Sequence, residues 1–243
     1  FLSGLLINNP GMIDELLDSL VLDRPRSAEE LRGELTELLR GANDPDPILH
    51  SFQDKELLRI GVRDLLGKDA VRETTAALSD LAETVLNAVF ERTEPAVRAK
   101  HGAAGRYVVL GLGKLGGREI GYHSDLDLIL VYEADGPTTR PPGHEGRFAA
   151  SSNARYFTDL AQRAIKHLSS AGPLGRLYEV DMRLRPTGKS GSLTLPLSEF
   201  RKYFAVGGGA GTWERQSMIR ARVVRGDADF AWTVTGAIRE AVL

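Results

Sequence analysis

Apolar residues recur every three or four positions through the first hundred residues, the period of an amphipathic helix. Pro10-Gly11 breaks an apolar opening segment, after which Met12, Ile13, Leu16, Leu17 and Leu20 keep the helical spacing. Ser27 and Glu30 form a capping box ahead of Leu31, Leu35, Leu38 and Leu39. Gly41 and the Asn-Asp-Pro-Asp-Pro run at 43–47 stop that helix; residues 48–66 begin another, closed by Gly67. The longest helix is expected from about residue 69 to residue 90 or beyond, with Leu78, Leu81, Ala82, Val85, Leu86 and Val89 on one stripe. Lys55 and Arg59, one turn apart, read as a solvated face.

The period then changes. Tyr107-Val108-Val109-Leu110 is a short β-type run, followed closely by Gly111, Gly113, Gly116 and Gly117. Ser124-Asp125-Leu126-Asp127 leads into a second apolar run, Leu128 to Tyr132. A loop rich in Gly and Pro follows and carries His144, which reads as solvated. Residues 148–168 are expected as an amphipathic helix, with Phe157, Leu160, Ala161, Ala164, Ile165 and Leu168 facing a core. Residues 177–185 alternate as a strand: Val180, Met182 and Leu184 on one face, Asp181, Arg183 and Arg185 on the other. A turn-rich loop at 186–191, with Lys189, precedes a strand through Leu193, Leu195 and Leu197 and a helix capped by Ser198. Residues 213–224 are expected as a helix, unusually polar for one that carries Trp213, Met218 and Ile219.

The candidate chemistry lies where the glycines meet the acids. Gly111-Leu112-Gly113-Lys114-Leu115-Gly116 matches GxGxxG after a strand. A dinucleotide site needs a full helix next and an acid at the far end of the second strand. Here only a short segment broken by Gly121 intervenes, and the acids stand at the strand's start. A P-loop fails as well, because Lys114 is followed by Leu115 rather than Ser or Thr. A glycine-rich turn offering N–H groups to phosphate, with Asp-x-Asp at a strand start, fits better. Alternation points Asp125 and Asp127 to one face, about 6.6 Å apart at Cα. Carboxylates so placed can share two Mg²⁺ ions about 3.5–4 Å apart, which suits in-line phosphoryl or nucleotidyl transfer. Asp181 can complete a three-carboxylate site, and Arg183 and Arg185 can neutralise phosphates or clamp Asp181. The blander alternatives are a capping Asp beside a solvated edge Asp, and a surface ladder of ion pairs.

Composition narrows the classes. The 243 residues are 42% hydrophobic and 26% charged, with a net charge of -2. That balance implies no general field for nucleic acid or membranes. The absence of cysteine excludes a disulfide framework and suits a reducing cytoplasm. No run approaches a membrane span and no signal peptide is evident. A start at Phe1 and an end inside a helical pattern read as a piece of a longer chain.

Three long motifs in order, GLGKLGGREIGYHSDLDLILVYE, YEVDMRLRPTGKSGSL and TWERQSMIRARVVRGD, resemble the glutamine synthetase adenylyltransferase (glutamate–ammonia-ligase adenylyltransferase) family over about 107–227. The resemblance implies an α+β fold: a polymerase β-like nucleotidyltransferase domain over 101–243, a mixed sheet with flanking helices, preceded by an all-helical region over 1–100. It implies transfer of AMP from ATP to a tyrosine of glutamine synthetase, a PII-type signalling partner and a cytoplasmic setting, without nucleic acid or membrane. Family enzymes carry two such halves, one adding AMP and one removing it by phosphorolysis with release of ADP. The Gly-Tyr-x-Ser-Asp-Leu-Asp-Leu and Trp-Glu-x-Gln forms are closer to the C-terminal, adenylylating half; Asp181-Met182-Arg183 is closer to the removing half. The balance favours adenylylation, with removal or a silent module docking glutamine synthetase or PII as alternatives. Carried over by residue, Asp125, Asp127 and Asp181 are catalytic and hold Mg²⁺. Gly116, Gly117 and Ser124 hold the phosphates of ATP, with Lys114, Arg183 and Arg185 as further candidates.

Overall fold

The computed structural model describes residues 2–8, 11, 24–140, 149–186, 188 and 191–242. The helix expected over 12–20, His144, and Thr187, Lys189 and Ser190 of the turn-rich loop lie outside them. The chain divides into two compact units. The first comprises 1–88, 118–124 and 171–177; the second comprises 89–117, 125–170 and 178–243.

In the first unit lie α1 (Leu2–Asn8), α2 (Ala28–Leu39), α3 (Asp46–Leu65) and the opening of α4 (Val71–His101). The capping box forms at α2: the Glu30 N–H donates to Ser27 Oγ and the Ser27 N–H to the Glu30 carboxylate. Leu31, Leu35, Leu49, Phe52, Leu58, Leu78, Leu81 and Val85 are buried at their helical spacing. Arg59 departs from the sequence reading. It is largely buried, 3.8 Å from the buried Glu56, while Lys55 lies 3.7 Å from Glu34. Burial pushes the Glu56 carboxyl upward against the pull of Arg59 and Arg26. A second buried pair joins Arg63 to Asp69 through bonds of 2.7 and 2.6 Å, the side chains 5% and 7% exposed. Removing one partner of such a pair leaves its charge stranded. Asp69→Ala is therefore expected to destabilise this unit by about 3 kcal/mol. Urea denaturation reads that loss, and an unchanged midpoint would contradict it.

The second unit is a five-stranded mixed sheet. Its strands are β1 (Tyr107–Gly111), β2 (Leu126–Tyr132), β3 (Val180–Asp181), β4 (Thr194–Pro196) and β5 (Arg222–Gly226). The order is β3-β2-β1-β5, with β4 also on β2. β1 is antiparallel to β2 and β5; β3 and β4 run parallel to β2. Between β1 and β2 lies the one-turn helix α5 (Gly113–Gly116). The other helices are α6 (Asn153–Ser169), α7 (Leu197–Phe204), α8 (Thr212–Met218) and α9 (Ala228–Val242). Every residue of β1 is buried, and on β2 every residue but Asp127. These are continuous apolar runs because helices cover both faces. Val108, Leu110, Ile129 and Val131 pack with Phe200, Phe204, Met218, Phe230 and Val234. On the opposite face Tyr107 and Tyr132 meet Phe157 of α6, with ring centroids 5.3 and 4.9 Å apart.

Three expectations are corrected. The strand expected over 177–185 is only Val180–Asp181. The Arg183 N–H donates to Asp181 Oδ1 at 2.7 Å, which turns the chain, and Pro186 cannot supply a ladder N–H. The helix expected over 213–224 ends at Met218, and Arg222–Gly226 is the edge strand β5. β-Branched Val223 and Val224 between arginines suit a pleated edge better than a helix. The strand expected through Leu193, Leu195 and Leu197 is β4, which begins at Thr194, and Leu197 already opens α7. α4, by contrast, extends to His101 with Pro95 inside it.

Candidate active site

The parallel pairing of β2 with β3 sets Leu126 beside Val180 and Asp127 beside Asp181. The Leu126 N–H donates to the Glu179 carbonyl at 2.8 Å and fixes that register. Asp125 stands just ahead of β2, two residues from Asp127, so alternation gives them a common face. Asp125, Asp127 and Asp181 are all half-buried, with one carboxylate oxygen from each within 4.8 Å of the others. Burial first, then the charges of Asp125 and Asp181, push the Asp127 carboxyl up to about 6. Arg183 and Lys114 pull it the other way.

Arg183 answers part of this negative charge. Its Nε donates to Asp181 Oδ2 at 2.6 Å, and its Nη2 lies 2.5 Å from the same oxygen. Arg185 has a different role: its Nη1 donates to the Met182 carbonyl at 2.5 Å, and burial lowers its pKa. The pair expected on one strand face is therefore split by the turn after Asp181.

Among the glycines, Gly113 is the one set against the acids. It has φ +51, and a Cβ built on it would lie 2.3 Å from Asp127 Oδ2. The exposed Lys114 follows it on the same turn. Gly116 answers a packing need, since a Cβ there would sit 2.0 Å from the Arg220 carbonyl oxygen. The N–H groups of Gly116 and Gly117 donate within the turn, to the Leu112 and Gly113 carbonyls. Ser124 belongs to the first unit; its Oγ accepts from the Gly121 N–H at 2.9 Å and closes a turn. Gly113 escaped the sequence reading, although as the second glycine of Gly-Leu-Gly after a strand it carried the signal for a positive φ. An open cleft of about 940 Å³ is lined by Pro186, Gly191, Ser192, Leu195 and Tyr203 among others, and none of the three acids lines it.

Three converging carboxylates repel one another unless cations lie between them. An all-oxygen donor set suits a hard divalent cation. The model of the glutamate-ammonia ligase adenylyltransferase family matches residues 1–236. The chain belongs to that family. It is 35% identical over 246 residues to the bifunctional glutamine synthetase adenylyltransferase/adenylyl-removing enzyme of Thioalkalivibrio sulfidiphilus, covering 95% of this chain and 25% of that protein. Proteins of the same name in Pasteurella multocida and Bradyrhizobium diazoefficiens are 37% and 32% identical. Those matches cover 97% and 98% of this chain and 24% of each relative. This adenylyltransferase-family chain thus spans about a quarter of the length of the curated relatives it matches. Among its described residues, no helix is long and apolar enough to cross a membrane.

The raised Asp127 carboxyl makes one prediction for this family member. A cation entering the three acids must displace a proton wherever Asp127 is neutral. Mn²⁺ affinity without nucleotide is expected to fall as pH drops through about 6. Below that value the fall approaches about tenfold per unit for one displaced proton. Mn²⁺ titration followed by electron paramagnetic resonance, at roughly pH 5 and pH 7.5, reads it; equal affinities would contradict the coupling.

Proposed function

We propose that this chain is a nucleotidyltransferase half that transfers AMP from ATP to a tyrosine hydroxyl of glutamine synthetase. The observation that carries the reading is the convergence of Asp125, Asp127 and Asp181 beside a glycine turn and Arg183. The relatives' name, bifunctional glutamine synthetase adenylyltransferase/adenylyl-removing enzyme, supplies the acceptor. We assign residues 101–243 to a polymerase β-like nucleotidyltransferase domain and residues 1–100 to a helical region before it. The PII-type partner and the cytoplasmic setting rest on the resemblance alone.

In the forward direction the tyrosine oxygen forms a bond to the α-phosphorus, the bond from that phosphorus to the α–β bridging oxygen breaks, and pyrophosphate leaves. The hydroxyl proton passes to solvent or a carboxylate. In the removing direction an oxygen of inorganic phosphate forms a bond to the same phosphorus and the bond from that phosphorus to the tyrosine oxygen breaks. The tyrosine hydroxyl is restored by a proton, and the AMP leaves joined to phosphate as ADP. Asp125, Asp127 and Asp181 would hold Mg²⁺, which supplies neutralisation of the triphosphate and polarisation of the α-phosphorus. Asp181 and Arg183 already form a charge-assisted pair. If Asp181 held a cation instead, the Arg183 guanidinium would be free to pair with phosphate oxygens. Lys114, on the turn facing Asp127, adds a point charge for the triphosphate. Gly116, Gly117 and Arg185 complete the set of phosphate candidates.

The test incubates the chain with glutamine synthetase and α-labelled ATP, and in parallel with AMP-modified glutamine synthetase and phosphate. Mg²⁺-dependent label on the protein supports adenylylation. ADP release from the modified protein assigns the removing half instead. Neither product, from a chain that still binds glutamine synthetase, identifies a silent docking module.

A further inference from the structure

β5 brings an arginine to the back of the glycine turn. Arg222 is the register partner of Gly111, the last residue of β1, at the point where the chain enters α5. Its Nη2 donates to the Leu115 carbonyl at 3.0 Å and its Nε to the Gly116 carbonyl at 3.3 Å. These are carbonyls at the C-terminal end of a helix, where intrahelical donors run out. A cation there also suits the negative end of the helix.

A one-turn helix cannot hold itself in water. α5 is closed by two backbone bonds, Gly116 N–H to Leu112 O at 2.8 Å and Gly117 N–H to Gly113 O at 3.1 Å. Its front rests on Asp127 through Gly113, and its rear abuts the Arg220 carbonyl through Gly116. Neither glycine has a side chain to lock the turn. Among the described residues, Arg222 grips that backbone by side-chain hydrogen bonds.

We propose that Arg222 is a positioning residue for the nucleotide. By holding the Leu115 and Gly116 carbonyls it sets where Lys114 and Gly113 stand relative to Asp127, and through them the affinity for the triphosphate. This rests on the three acids and the turn being the ATP site. Removal of Arg222 therefore acts on the turn first and on the metal ligands second.

The experiment compares the chain with its Arg222→Gln and Arg222→Lys variants. Three quantities are read: Mn²⁺ binding without nucleotide, Mg·ATP binding by calorimetry, and thermal unfolding. Loss of placement by a fraction of a turn is expected to weaken Mg·ATP binding by about tenfold or more in Arg222→Gln. Mn²⁺ affinity should stay within about twofold, because β2 and β3 pair Asp127 with Asp181 and Asp125 directly precedes β2. Arg222→Lys keeps the charge without the fork and should fall between the two. Unchanged Mg·ATP affinity in folded Arg222→Gln overturns the proposal. So does a parallel loss of Mn²⁺ and Mg·ATP binding with a collapsed unfolding temperature in both variants, which marks a merely structural arginine. An unmodified chain that binds Mn²⁺ but not Mg·ATP overturns the ATP-site reading itself, a result distinct from either.

Discussion

Asp127→Asn is expected to lower AMP transfer by about 10³-fold, equivalent to about 4 kcal/mol of transition-state stabilisation, while leaving the chain folded. The amide keeps the shape and removes the charge. Asp127 stands at the centre of the site's contacts, with Asp125 preceding it, Asp181 beside it and Gly113 so placed that a Cβ there would lie 2.3 Å from its Oδ2. Its carboxyl is raised from 3.8 to about 6 in the folded chain, chiefly by burial and then by its acidic neighbours. The folded state therefore holds a proton that the unfolded state gives up. The stability this contributes is complete below about pH 4 and is lost as pH rises through about 6. Asparagine has no proton to lose, so without metal the variant should gain on the parent as pH rises across that window. Transfer assays with labelled ATP and unfolding temperatures across pH check both halves. Transfer retained within tenfold would remove Asp127 from the catalytic set. Asp125→Asn and Asp181→Asn are expected to lose transfer similarly, and Asp181→Asn also loses the charge that holds Arg183.

Gly113→Val should be the change in the glycine run that most directly disturbs the acids. Its φ of +51 disfavours any side chain, at a cost of about 1–2 kcal/mol. The added Cβ would also stand 2.3 Å from Asp127 Oδ2, so the carboxylate must move. Displacement of about 1 Å at a reacting centre is worth about 10²-fold in rate. Gly117→Val is the informative partner. Gly117 has φ −77 and needs no glycine for its own conformation. Weaker ATP binding by folded Gly117→Val would report close approach of the ligand to the backbone, and unchanged binding would remove that residue from the site. Transfer by Gly113→Val within about threefold of the parent would show that Asp127 tolerates the crowding.

The residue pattern by itself determined β1, β2, the capping box at Ser27, the Asp125–Asp127 pair and the membership that the three motifs carry. Each is local: period, cap chemistry and alternation act within a few residues. Asp181 was legible as an acid that could complete a three-carboxylate site, but the β2–β3 register that sets it beside Asp127 was not. That contact depends on the register of a two-residue parallel strand some fifty residues away in sequence, which packing of α6 and the sheet decides. The same long-range packing turned 222–226 into an edge strand, because β1 offered an unpaired edge that outweighed the weak helical pattern. It also placed Gly113 rather than Gly116 against Asp127. Side-chain identity fixed what chemistry the chain can carry; only the tertiary fold decided which of those side chains meet, since opposing carboxylates and cations are brought together by burial of the apolar strands that bear them.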